Sequence, residues 1–243
     1  MITKAEIQSV RALADKKGRE EQCAFIAEGE KLVAELRASS LRVRKIYTTK
    51  PLWPEAEVIA ERDMERISQL KSANSTLAVV ESPKYDIATV DPTKNLVLAL
   101  DRVQNPGNLG TIIRLADWFG ITDIVCSVQS ADCFNPKVIQ ATMGAIIRVR
   151  VHYTDLAKWL ESQRDRGVNI YGTFLDGQNI YKAEKSCCGV IVMGNEGQGI
   201  SPECEKSVTD RLYIPPYPLD NPGSESLNVA IATAITCSEF RRG

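Results

Sequence analysis

Asn105-Pro-Gly-Asn-Leu-Gly-Thr-Ile-Ile-Arg114 joins an apolar run at residues 95–100 to a helical pattern, and the fold is read outward from it. The run predicts a buried strand. After it, Ile112, Leu115, Ala116 and Phe119 recur at i, i+3, i+4 and i+7, the stripe of an amphipathic helix facing a core. The spacing predicts a helix over 108–119, with Asn108 at or next to its N-cap and Arg114 on the opposite side. A fixed positive guanidinium beside the free donors of a helix start suits a phosphate or another anion, although a surface Arg and an ordinary Asn cap have the same spacing.

The pattern around this stretch alternates. Strands are expected at 95–100, 123–127, 147–151, 168–174, 189–193 and 211–214, and helices at 108–119, 136–144, 154–166, 202–206 and 226–242. Apolar strands alternating with helices predict an α/β fold whose mostly parallel sheet is covered on both faces. Upstream, Thr3 and Glu6 have capping-box spacing and start a helix expected to reach about Lys17. Short apolar-rich runs at 23–27 and 45–48, a strand at 76–81 and helices at 29–39 and 64–71 follow. Residues 82–94 contain two prolines and little periodicity, so residues 1–84 form one expected domain, 85–94 a linker and 95–243 a second domain.

Composition narrows the function. The chain has 243 residues, 30 Lys and Arg against 31 Asp and Glu, seven cysteines and one histidine. Seven cysteines without a CxxC pair, and a start without an apolar signal, lead us to expect a reduced, cytoplasmic protein with no membrane span. With His152 alone, inside a strand pattern, neither a histidine-based metal site nor a Ser-His-Asp hydrolase is expected. The near-neutral charge makes any basic surface local. Arg37, Arg42, Arg44, Lys45 and Lys50 fall close together with no acidic residue among them, which fits a solvated face or a patch that tracks phosphates.

Two further stretches carry chemistry. Gly189-Val-Ile-Val-Met-Gly-Asn-Glu-Gly-Gln-Gly-Ile-Ser201 is a strand ending in a glycine loop with Glu196 in its middle, without the Gly-Lys-Ser/Thr of a P-loop or a G-x-G-x-x-G opening a helix. The stretch from Tyr213 has a proline-rich loop before a helix expected at Ser226, capped by Ser226 or Ser224, with Ser226 and Asn228 flanking Leu227.

Together the three stretches resemble the signature motifs of the SpoU/TrmH-type RNA ribose 2′-O-methyltransferases of the SPOUT superfamily. The matching pieces are 105–114, 193–201, Ile214-Pro215 and Ser226-Leu-Asn-Val229, with Asn135-Pro-Lys137 and Thr142-Met-Gly-Ala145 similar to the segment between the first two. Leu13 to Glu21 and Phe25 to Lys31 are similar to the family's small L30e-like substrate-binding domain. The resemblance implies a deep trefoil knot, S-adenosylmethionine as cofactor, RNA as partner (ribosomal RNA before tRNA) and a homodimer whose sites use both subunits. It implies Arg114, Asn108, Glu196, Ser226 and Asn228 as polar active-site residues. Met193, Gly194, Ile214 and Leu227 would border the cofactor. Arg42, Arg44, Lys45 and Lys137 are the expected RNA contacts, and no metal is expected. A non-catalytic RNA-binding relative and a dinucleotide dehydrogenase are the competing readings; the second lacks the glycine fingerprint. The loop between Ile214 and Ser226 is longer than the family's usual turn, and Ala230 stands where a Ser is frequent.

Overall fold

The computed structural model describes residues 2–218 and 225–242, which form two compact units: 1–84 with 132–147, and 85–131 with 148–243. In the first unit, Thr3 and Glu6 make both reciprocal bonds of a capping box at the head of α1 (Lys4–Ala12). The helix expected to reach Lys17 instead breaks, and α2 (Lys16–Gln22) starts afresh. Gly18 permits the tight return, because a Cβ there would lie 2.0 Å from the Ala12 carbonyl oxygen. Then follow β1 (Ala24–Glu28), α3 (Glu30–Arg37), β2 (Val43–Thr48), β3 (Glu57–Val58), α4 (Glu61–Ile67) and β4 (Thr76–Glu81). The sheet order is β1-β4-β2-β3, with β4 antiparallel to both its neighbours. Ile26, Met64, Ile67 and Leu77 fill the core on one side of it.

The second unit begins before its first strand. Val90, inside the expected linker, is buried in a core with Val97, Leu156 and Val190, so 85–94 is part of this unit rather than a connector. Along the chain come β5 (Leu96–Leu100), α5 (Pro106–Trp118) and β6 (Asp123–Ser127). The chain then contributes 132–147, with α6 (Pro136–Thr142), to the first compact unit before returning to the second. The reason is a buried guanidinium. Arg19 is 4 % exposed, and its Nε and Nη2 both donate to Asp132 Oδ2, at 2.9 and 2.7 Å. Its Nη1 donates to the Leu13 and Ala14 carbonyls, and Phe25 stacks on Phe134 with ring centroids 4.7 Å apart.

The remaining elements are β7 (Arg150–Thr154), α7 (Leu156–Asp165), β8 (Ile170–Phe174), β9 (Gln178–Asn179), β10 (Gly189–Met193), α8 (Pro202–Glu205), β11 (Asp210–Tyr213) and α9 (Val229–Arg241). Every ladder of the seven-stranded sheet β7-β6-β5-β10-β8-β11-β9 is parallel. Alternate residues of each strand serve opposite faces. Val97, Ala99 and Ile170 pack with Leu156 and Leu160 of α7, whereas Tyr171 meets Phe240 of α9 edge-on at 4.8 Å. Helices therefore cover both faces, as the alternation predicts. His152 is buried, with Nε2 2.9 Å from Asp123 Oδ1. Burial opposes ionisation of Asp123, but bonds from His152, Arg150 and Thr122 outweigh it and hold this carboxyl well below the usual range.

Asp132→Ala leaves the Arg19 charge buried with only carbonyl partners. It is expected to lower unfolding stability by about 3 kcal/mol, read as a shift of the urea midpoint; a shift within error would show that Asp132 does not anchor 132–147.

Candidate active site

A parallel sheet brings the carboxyl ends of its strands to one edge, where ligands of open α/β sheets bind. Three of the connections that leave that edge carry the candidate residues: 101–105 from β5 to α5, 194–201 from β10 to α8, and 214–228 from β11 to α9. Within the third, residues 219–224 lie outside the described residues, and with them the expected Ser224 cap.

Both helix starts differ from expectation by a few residues, and the difference frees two side chains. The cap of α5 is Asn105, whose Oδ1 accepts from the Gly107 and Asn108 amides at 2.8 and 3.1 Å, with Pro106 in the first turn. Asn108 is then the third helical residue rather than the cap. Likewise α9 is capped by Asn228 and not by Ser226: Asn228 Oδ1 accepts from the Ala230 amide at 2.9 Å. Because that oxygen faces the helix, Nδ2 of Asn228 faces away and donates to Asn108 Oδ1 at 3.1 Å. Asn108 therefore presents its own Nδ2 to Glu196 Oε1, at 2.9 Å. One cap sets the orientation of two amides and a carboxylate in series.

Glu196 is held by its loop. Gly194 approaches so closely that a Cβ would lie 2.2 Å from the Gly199 carbonyl carbon and 2.3 Å from the Ile200 nitrogen. Asn195 and Gly199 exchange backbone bonds of 2.9 Å in each direction. Asn195 Oδ1 accepts from the Gly197 and Gln198 amides, and its Nδ2 donates to the Arg102 carbonyl at 2.8 Å. Sequence reasoning missed Asn195, although Asn two residues before Gly in a loop is an Asx-turn signal.

The expected polar set divides. Asn108, Glu196 and Asn228 come together, while Ser226 is exposed upstream of the relay. Arg114 is exposed, and no hydrogen bond or ion pair among the described residues involves it. Six residues beyond Asn108, it lies about 9 Å further along the axis at 1.5 Å per residue. It shares the exposed stripe Gly107, Thr111, Arg114 and Trp118. Of the apolar set, Met193 is buried with Thr173 Oγ1 3.7 Å from its Sδ, Ile214 is half-buried, and Leu227 is 49 % exposed.

In the first unit the basic run is largely neutralised, contrary to its appearance in the sequence. Strand pairing brings Glu57 beside Lys45 at 2.7 Å, and that bond raises the Lys45 pKa. Glu81 lies 3.4 Å from both Arg42 and Arg44. Arg44 also donates to the Gln22 and Cys23 carbonyls, whereas Arg42 and Lys137 remain exposed.

Known proteins agree with this architecture. Residues 95–238 match the SpoU rRNA Methylase family, and residues 4–88 match the MRM3-like substrate binding domain. The 23S rRNA (guanosine(2553)-2′-O)-methyltransferase RlmP of Bacillus subtilis is 31 % identical, covering 97 % of this chain and 96 % of that protein. A TrmH-family structure from Porphyromonas gingivalis superposes with a TM-score of 0.90 at 42 % identity, covering 100 % of this chain and 99 % of that one. An AdoMet-bound rRNA methyltransferase from Sinorhizobium meliloti gives 0.87 at 29 % identity, covering 100 % and 96 %. The fold and these relatives thus define an RNA methyltransferase of the SPOUT type. The chain belongs to the SpoU rRNA methylase family.

Gly194→Ala puts a methyl group into backbone that cannot yield. It is expected to weaken S-adenosylmethionine binding by about tenfold or more, some 1.4 kcal/mol, in isothermal titration; unaltered affinity would place the cofactor away from this loop.

Proposed function

We propose that this protein transfers a methyl group from S-adenosylmethionine to a ribose 2′-hydroxyl of RNA, with 23S ribosomal RNA as substrate and the cytoplasm as its compartment. The relay Asn228–Asn108–Glu196 at the carboxyl edge of β5 and β10 carries this reading. A protein that only bound RNA would have no use for a helix cap that orients a carboxylate through two amides. The close relatives named for rRNA methylation support the substrate.

The residues fit the cofactor. Gly194 lets the loop close tightly on Gly199 and Ile200, so that backbone rather than side chains forms this rim; half-buried Ile214 and exposed Leu227 offer apolar surface, and Met193 is buried at the strand end. S-adenosylmethionine, when bound, supplies a methyl group already activated on a sulfonium, so no metal need be recruited. The chain's task is to position the hydroxyl in line and to manage its proton. Asn228 and Ser226 hold the ribose, and Glu196 fixes the Asn108 amide rather than Arg114. Arg114 binds the neighbouring phosphate and stabilises charge developing on the 2′-oxygen. A guanidinium does not give up its proton in a protein, so the hydroxyl proton passes to a phosphate oxygen or a water.

Arg114 stands apart from the relay of its own chain, which supports a homodimer. On α5 it lies between Thr111 and Trp118, and Trp118 is 84 % exposed. The parallel neighbour α9 presents Ile231, 53 % exposed, on its outer side. An apolar helix pair around a lone cation fits a second copy, each chain lending Arg114 to the other's relay. The trefoil knot is part of the same proposal: β10 lies between β5 and β8, and α9 returns to pack beside α5.

Arg114→Lys keeps charge but loses the fork. Methyl transfer to 23S rRNA is expected to fall about a hundredfold while cofactor affinity holds, and near-wild-type turnover would rule out the bidentate role. Trp118→Glu is expected to shift the protein from dimer to monomer in sedimentation and to abolish turnover with cofactor binding intact. A monomeric wild type, or an unchanged dimer in the variant, would overturn the shared site.

A further inference from the structure

Arg102 has φ +57°, in the left-handed region that disfavours a residue with a Cβ. The other non-glycine residues with positive φ, Cys23 and Met143, end helices α2 and α6, where that conformation is ordinary. Arg102 ends no helix. It follows β5 directly, between the apolar strand and the α5 cap. Strained backbone of this kind persists when its surroundings over-determine it, and it concentrates at functional sites.

Its surroundings show what holds it. The Arg102 amide donates to Ser127 Oγ at 2.9 Å, at the end of β6. Its carbonyl accepts from Asn195 Nδ2 at 2.8 Å, in the glycine loop after β10. Its Nε lies 3.4 Å from Asp101 Oδ1 and is buried without a hydrogen bond of its own. The buried Asp101 carboxylate accepts the Ser201 amide on its other oxygen at 2.7 Å, and the Asp101 amide donates to the Met193 carbonyl at 2.9 Å. Two adjacent residues thus grip the glycine loop at its start, its middle and its end. A buried carboxylate is costly unless a cation or donors compensate it, and Arg102 is the cation beside it.

We infer that Arg102 is a positioning residue for methyl transfer, fastening the 193–201 loop so that Glu196 stays within reach of the Asn108 amide. Its left-handed backbone turns the carbonyl toward Asn195, and its guanidinium lies beside the buried Asp101 carboxylate that accepts the Ser201 amide. The inference rests on the methyl-transfer reading for its consequence in turnover, and on geometry alone for the loop.

The test compares Arg102→Gly, which adopts the same φ without strain, with Arg102→Lys, which restores a cation. In Arg102→Gly, amide exchange at 195–201 should quicken about tenfold while exchange elsewhere in the fold changes far less. Turnover should fall about tenfold with KM for RNA unchanged, and Arg102→Lys should recover a good part of it. A lowered midpoint with uniformly faster exchange, or a loop and turnover like wild type, would overturn the inference. Should Arg102→Gly not fold, Arg102→Met removes the charge and keeps the stem, and its loop exchange decides in the same way. Absence of methyl transfer in the wild type would sink the functional reading, yet the exchange experiment would still read Arg102 by itself.

Discussion

Asn108 can serve Glu196 because Asn228 has already committed its carbonyl oxygen to the first turn of α9. An amide side chain rotates easily and looks nearly the same both ways round, so in isolation neither Asn would have a preferred direction. The unpaired amides of a helix start remove that freedom. They demand an acceptor, which leaves each following group one way to face. The site thus draws its order from a feature α9 needs anyway, and the polar residues cost little extra to hold in place.

The arrangement works only if β5, β10 and β11 deliver their loops to one edge, and their parallel pairing ensures this. Hydrophobic burial supplies the rigidity beneath: β5 and β10 are buried along their whole length and offer no slack. Above them the glycine loop is as tight as backbone permits, with Gly194 pressed on Gly199 and Ile200. A rigid floor and a close-packed rim let a few hydrogen bonds at the edge set geometry that flexible loops could not keep.

The strands and helices around the site were legible because their signals are local. Apolar runs at 95–100, 123–127 and 189–193 became β5, β6 and β10 within a residue, and the 3.6-residue stripe gave α5. Caps were less legible, since Asn105 and Asn108, or Ser226 and Asn228, compete within a few positions and backbone geometry alone selects one. Long-range pairing was not legible at all. Nothing near Lys45 in sequence foretells Glu57, or near Arg19 foretells Asp132, so a run of bare cations turned out largely paired and a segment of the second domain joined the first unit. The motifs named the polar set, but could not say that Arg114 stands outside the relay.

That separation has an electrostatic logic. Within one chain, the charge in the relay is the carboxylate of Glu196, and RNA brings further negative charge to the same edge. A protomer alone would therefore repel the phosphate it must hold. In the homodimer proposed above, Arg114 on its exposed stripe beside Trp118 would bring the compensating cation with a second chain, and with it affinity for the anionic substrate. Under that proposal, assembly and substrate binding would be one linked equilibrium, each favouring the other.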